Sequence, residues 1–182
     1  MSALASVRRR RSQAKVTEEA PSTRQLLELV AAAGTVADHG SMRPWRLIEL
    51  RGDARQRLGD AMAAALPDAP ESVRSRTAAK PLRAPLLIAI VASVTPTLKV
   101  AGWEQEAVAA GVGHLLSLLL DEAGWGVMWR TGQLTRTEPV RVMHGLAPHE
   151  ELLGWLYVGG KPRGAPHRPK RSIDPREHLS AL

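Results

Sequence analysis

The chain has 182 residues, 44% of them hydrophobic, with a net charge of +7 and no cysteine. That length is one domain's worth and is enough to bury a core without staples. Missing cysteine excludes disulfides, zinc–thiolate sites and thiol nucleophiles, and fits a reducing cytoplasm, the expected location. No apolar run reaches the length of a membrane span; the longest, Pro85 to Val94, is strand-sized.

The Arg8–Arg11 run is followed by Ser12-Gln13-Ala14-Lys15, with no apolar stretch behind it, so it does not read as a signal peptide. Ser22 or Thr23 starts a helix, with Gln25 three residues after Ser22 as in a capping box, and the helix runs to about Ala33. Gly34 to Pro44 reads as a loop and Trp45 to Leu50 as a strand. Alanine-rich Asp53 to Leu66 is helical, Pro67-Asp68-Ala69-Pro70 breaks it, and a short helix covers Glu71 to Lys80. The β-branched content of Pro85 to Val94 predicts a strand buried on both faces.

Trp103 to Ala123 is the longest helix. Its second half is apolar nearly all round, which predicts burial in a large core or a subunit interface. Gly126 to Trp129 reads as a strand, Glu138 to His144 as a short helix and Leu152 to Val158 as the last strand. The order, with a further helix expected near the start, is α, α, β, α, α, β, α, β, α, β, then a tail. Without a clean βαβ repeat this predicts an α+β sandwich. Residues 1–160 are expected to form the folded domain. The basic, Pro-rich tail 161–182 cannot build a core of its own, so it is either disordered or laid on another surface.

Basic residues are scattered apart from Arg8–Arg11 and the stretch from Lys161 to Arg176. Abundant Arg, Ala and Gly with no Phe suggest a GC-rich coding sequence, which accounts for the charge better than a nucleic acid partner does.

Three segments can carry chemistry. Arg10-Arg11-Ser12 offers two guanidinium forks and a hydroxyl, a plausible phosphate clamp, although most such triplets are solvated surface. His39 lies in a loop, where it is either a donor to a polar ligand or an ordinary histidine at a helix end. Trp129-Arg130-Thr131-Gly132 follows a buried strand; its backbone could approach a flat ligand at Gly132, or it is a plain strand-to-helix turn with Thr135 capping the next helix. The remaining histidines, including His144, His149, His167 and His178, show no metal spacing, and Glu104 and Glu106 face different directions on their helix. There is no Gly-x-Ser-x-Gly elbow, and no Gly-x-Gly-x-x-Gly follows a strand.

Six segments in order resemble the nitroreductase family, most closely its small bacterial branch. They are Arg10-Arg11-Ser12, Ala37-Asp38-His39 with Pro44-Trp45, Arg83-Ala84-Pro85, Trp103-Glu104-Gln105-Glu106, Gly126 to Gly132, and Gly154-Trp155-Leu156-Tyr157-Val158-Gly159. The resemblance implies a mixed central β-sheet flanked by helices in an intertwined homodimer, with FMN held at the interface. Arg10 and Ser12 then match the phosphate positions, with Arg11 beside them as a further cofactor-binding residue, and His39 reaches the flavin of the partner subunit. Trp129, Arg130, Thr131 and Gly132 match the loop along the isoalloxazine edge, and Arg171 in the tail matches a further phosphate ligand. The tail is expected to pack on the partner. The implied activity is ping-pong: NADH or NADPH delivers hydride to flavin N5, and a nitroaromatic or quinone acceptor takes the electrons. The protein orients and tunes the cofactor, so no catalytic acid, base or nucleophile is expected of the chain, and no metal.

Thr35 stands where relatives often carry Arg, Val36 interrupts an Ala-Pro before Asp38-His39, and Arg43 replaces a frequent Gln. These departures bear on substrate and flavin affinity rather than on fold. The other readings are a flavoprotein of the same scaffold with a different redox task, a non-catalytic flavin-binding protein, and a basic nucleic acid module.

Overall fold

The computed structural model describes residues 2–164 and 173–181. The chain begins with helix α1 (Ala3–Arg9), so the first two arginines of the basic run lie in a helix and Arg10 is its C-cap. Helix α2 (Thr23–Ala33) starts as its residues predict: the Ser22 hydroxyl accepts from the Gln25 N–H at 3.3 Å, and the Gln25 side-chain oxygen accepts from the Ser22 N–H at 2.9 Å. This reciprocal cap satisfies two donors that a helix start leaves open. Strand β1 (Trp45–Leu50), helix α3 (Asp53–Ala64) and helix α4 (Glu71–Ala78) follow, with a 3₁₀ turn at Lys80–Arg83. Then come β2 (Leu86–Ser93), α5 (Gly102–Glu122), β3 (Trp125–Arg130), α6 (Glu138–Met143) and β4 (Glu150–Gly160).

The four strands make one sheet in the order β1-β2-β4-β3, and every neighbouring pair is antiparallel. The α+β expectation holds, but within the described chain the sheet is antiparallel rather than mixed. The reason is topological. β2 and β3 run the same way across α5, yet β4 is inserted between them, so they never pair.

β2 supplies two cores by alternation. Leu86, Ile88 and Ile90 face α2 and α5, packing with Leu26, Ala33, Val112, Leu116 and Leu120. Leu87, Ala89 and Val91 face the other way, onto Leu58 and Met62 of α3, Val140 of α6 and Trp155 and Tyr157 of β4. The apolar side of α5 is thus largely consumed by its own sheet, while Trp103 near its start stays 73% exposed.

Asp121, near the end of α5, is buried and gathers both ends of the folded chain. Its carboxylate lies 3.8 Å from the Arg9 guanidinium and 2.9 Å from the Lys161 ammonium. Next to it, Glu122 accepts from Arg9 at 2.9 Å and from the Ser6 hydroxyl. A second anchor joins β1 to the start of β4. Glu150 is buried and accepts from Arg46 Nε at 2.6 Å and Nη2 at 2.8 Å, from the Ser93 hydroxyl at 2.9 Å and from the Ala147 N–H at 2.9 Å. Its hydrogen bonds from Arg46, aided by those from Ala147 and Ser93, pull its carboxyl down to about 2.

Candidate functional site

The segment carrying Arg10, Arg11 and Ser12 is strapped across one end of the sheet. The Gln13 N–H donates to the Val127 carbonyl at 2.9 Å, and the Thr17 N–H donates to the Gly160 carbonyl at 2.9 Å. Between these anchors Val16 crosses Gly126 and Gly159, which are paired across β3 and β4. A Cβ on Gly126 would lie 2.9 Å from Gln13 and Val16 side-chain carbons. One on Gly159 would lie 2.7 Å from the Thr17 carbonyl oxygen. Two facing glycines therefore form the trough in which the strap rests. The Arg11 guanidinium folds back onto the carbonyls of Arg8, Arg9 and Arg10, and Ser12 is exposed.

Trp129 and Arg130 end β3, the strand beside which the strap lies, and Thr131 and Gly132 follow. Trp129 turns to the α5 side, where its ring meets His114 edge-on at 4.7 Å. Arg130 turns to the other side and lies over the Tyr157 ring, its guanidinium carbon 5.1 Å from the centroid. Burial pushes the Tyr157 phenol up to about 12, against the opposing pull of Arg130 and Arg83. Trp129 Nε1 and Arg130 Nε are buried donors with no hydrogen-bond partner among the described residues. They lie on opposite faces of the sheet, Trp129 Nε1 against Gly154 and Arg130 beside Tyr157, so they do not converge on one acceptor, and Arg55 Nε is likewise buried without a partner. Gly132 has φ 139°, with open space where a side chain would stand. The Thr135 hydroxyl donates to the Gly132 carbonyl at 2.8 Å. Thr135 does not cap α6, as the plain-turn alternative would have it; α6 starts after Thr137.

His39 is placed apart from these residues. It opens a 3₁₀ turn, His39–Ser41, and its Nδ1 lies 3.0 Å from the Glu104 carboxylate in the first turn of α5. Glu104 and His114 are about 15 Å apart along that helix, at roughly 1.5 Å per residue. His39 and Trp129 thus touch opposite parts of one helix, and a single copy of the chain does not bring them together. The loop around His39 is strained: Ser41 and Arg43 have φ 51° and 48°, unusual for residues with a side chain. The Asp38 carboxylate offsets part of that by accepting from the Arg43 N–H at 2.7 Å. Thr35, at the departure from the resembled pattern, donates its hydroxyl to the Ala32 carbonyl and closes α2. Arg171 lies outside the described residues.

The sequence reading missed Glu104, His114 and Tyr157 as neighbours of the candidate residues. Tyr157 and Glu104 each sit in one of the six resembling segments, but nothing there marks them as partners of the site; His114 carries no local signal. A cavity of about 310 Å³ lies elsewhere, between α2 and β1, lined by Leu26, Leu27, Val30, Trp45 and Leu47 among others, and none of the candidate residues lines it.

His144 is a satisfied core histidine. Its Nδ1 pairs with the Val140 carbonyl at 2.7 Å, and its Nε2 accepts from Trp155 Nε1 at 3.0 Å. Burial, with a smaller contribution from Arg46, holds its value below the ordinary imidazole range, against the Val140 hydrogen bond. A proton on Nε2 would oppose the Trp155 N–H, so folding disfavours the charged ring. The folded value is the lower one, so this contribution is full above the unfolded value of about 6.5 and falls as pH drops below it. The urea midpoint is expected to fall between about pH 7.5 and about pH 5.5. The part of that fall absent from His144→Gln measures this residue.

Comparison with known proteins agrees with this architecture. The chain is 34% identical over 163 residues to YdjA of Escherichia coli (strain K12), provisionally named an NAD(P)H nitroreductase, covering 87% of this chain and 88% of that one. Its fold matches a nitroreductase-like family protein from Bacillus cereus with a TM-score of 0.88 at 23% identity, covering 100% of this chain and 96% of the other. It also matches the FMN-dependent nitroreductase NfnB of Mycobacterium smegmatis, solved in complex with NADPH, with a TM-score of 0.76 at 15% identity, covering 99% and 97%. The nitroreductase family model matches residues 7–160, and the chain belongs to that family.

Proposed function

We propose that the protein is an FMN-dependent oxidoreductase that passes electrons from NADH or NADPH to nitroaromatic or quinone acceptors. The observation that carries this reading is the basic Arg10–Ser12 segment held beside β3, the strand that runs on into Thr131 and the open Gly132. Relatives supply the chemical identity: YdjA is provisionally named an NAD(P)H nitroreductase, and NfnB of M. smegmatis is FMN-dependent and was solved with NADPH.

In this reading Arg10, Arg11 and Ser12 hold the phosphate, with Arg171 as a further cation. Trp129, Arg130, Thr131 and Gly132 line the ring system, and His39 comes from a second copy of the chain. The separation of His39 from Trp129 supports a site shared between two copies, hence a homodimer. Bound flavin supplies reversible acceptance of a hydride, the chemistry no side chain here can perform. The chain's part is to orient the ring, donate hydrogen bonds to it and keep one face open for the two reactants in turn. The basic strap gives an attractive field for the phosphate. We place the domain boundary after Gly160 and read the tail as packing on the second copy.

The test is the visible spectrum of the purified protein, identification of what heating releases, and anaerobic titration with NADH and NADPH. FMN on release, bleaching by a pyridine nucleotide and recovery of colour with a quinone or nitroaromatic are the expected results. A colourless protein that takes up no added FMN overturns the cofactor. A yellow protein bleached by neither nucleotide overturns the activity.

A further inference from the structure

The two oxygens of Glu104 do different work. Oε1 accepts from the Ala101 N–H at 3.0 Å and closes the first turn of α5. Oε2 faces His39 Nδ1 at 3.0 Å. The hydrogen bond from His39, together with the cap, holds the Glu104 carboxyl below the usual range. Ionised, it is an acceptor only, so His39 Nδ1 must be the nitrogen carrying the proton. The carboxylate cannot swing away without opening the helix cap. In the neutral ring the remaining nitrogen, Nε2, then presents a lone pair on a side chain that is 60% exposed.

We propose that Glu104 is a positioning residue that fixes the tautomer of His39, so that His39 reads a hydrogen-bond donor on the cofactor, an N–H of the ring system or a hydroxyl of its side chain. This rests on the reading of His39 as a residue that meets the flavin. The pairing spans 65 residues of sequence and joins the strained 38–43 loop to the long helix. It gives that loop a fixed register against α5, which a solvated histidine would not need.

Glu104→Gln isolates the effect. The amide oxygen must stay on the Ala101 N–H to preserve the cap, and glutamine is as good a capping-box partner as glutamate. The amide NH₂ is then left facing His39 Nδ1, which must become an acceptor, so the proton moves to Nε2. A carboxylate-to-amide change beside a histidine produces this inversion elsewhere. Nε2 then meets a donor with a donor.

The first measurement is the ¹⁵N spectrum of the imidazoles in the full-length protein, with His39 assigned by its loss in His39→Ala. Wild type is expected to show a protonated Nδ1, and Glu104→Gln a protonated Nε2. The second is FMN affinity by fluorescence quenching. Glu104→Gln and His39→Ala are each expected to weaken FMN about tenfold, and the double variant no further than His39→Ala alone. A purely structural Glu104 would add its loss on top of His39→Ala and leave the tautomer unchanged; either result overturns the inference. If His39→Ala binds FMN as wild type does, the role given to His39 falls, and this inference with it. The FMN assignment itself falls only if the wild-type protein takes up no FMN.

Discussion

Glu150→Ala is expected to destabilise the fold by about 3 kcal/mol. The carboxylate receives four hydrogen bonds from Arg46, Ser93 and Ala147 in a buried position. Truncation leaves the Ser93 hydroxyl and the Ala147 N–H without their acceptor. The Arg46 side chain, 39% exposed, recovers part of its hydration, which keeps the loss below that of a wholly buried pair. Urea unfolding at neutral pH measures the difference. The same group sets an acid limb. Its folded value is about 2 against an ordinary 4.5, so its contribution is full above about 4.5 and is lost as pH falls through that window. Stability of the variant should therefore be flatter than wild type over this range. Equal slopes, or a loss below about 1 kcal/mol, would show that the anchor contributes little.

Arg10→Ala is expected to weaken FMN binding about a hundredfold, the scale of a lost charge-assisted hydrogen bond to phosphate, with little change in the urea midpoint. Riboflavin, which lacks the phosphate, should bind wild type and variant alike. FMN binding unaffected by the change would remove Arg10 from the phosphate site. Higher salt should lower FMN affinity only modestly, since one phosphate is involved. A steep fall would favour a polyanion as the partner of the Arg8–Arg11 run.

What could be read from the chain was what is local. The Ser22–Gln25 cap and the doubly buried β2 depend on neighbours within a few residues, and both stand as read. The ends of β4 did not: Glu150 and Glu151 look like loop residues until Arg46, 104 positions away, neutralises Glu150. Strand order is equally silent, so the insertion of β4 between β2 and β3 turned a sheet expected to be mixed into an antiparallel one. The candidate residues other than Arg171 lie in the six short motifs, and the structure lays the Arg10–Ser12 strap beside the strand that ends in Trp129 and Arg130. Their partners were not legible. Glu104 reads from the sequence as one of two carboxylates on a helix and as part of a resembling segment, and its tie to His39 exists only once α5 and the 38–43 loop are packed.

The meeting of Arg9 and Lys161 on one carboxylate has a practical meaning for protein engineering. The places where the chain enters and leaves its folded body are neighbours in space. A short linker could join them, and the chain could be reopened at an exposed turn such as Pro67–Pro70 without rerouting any strand.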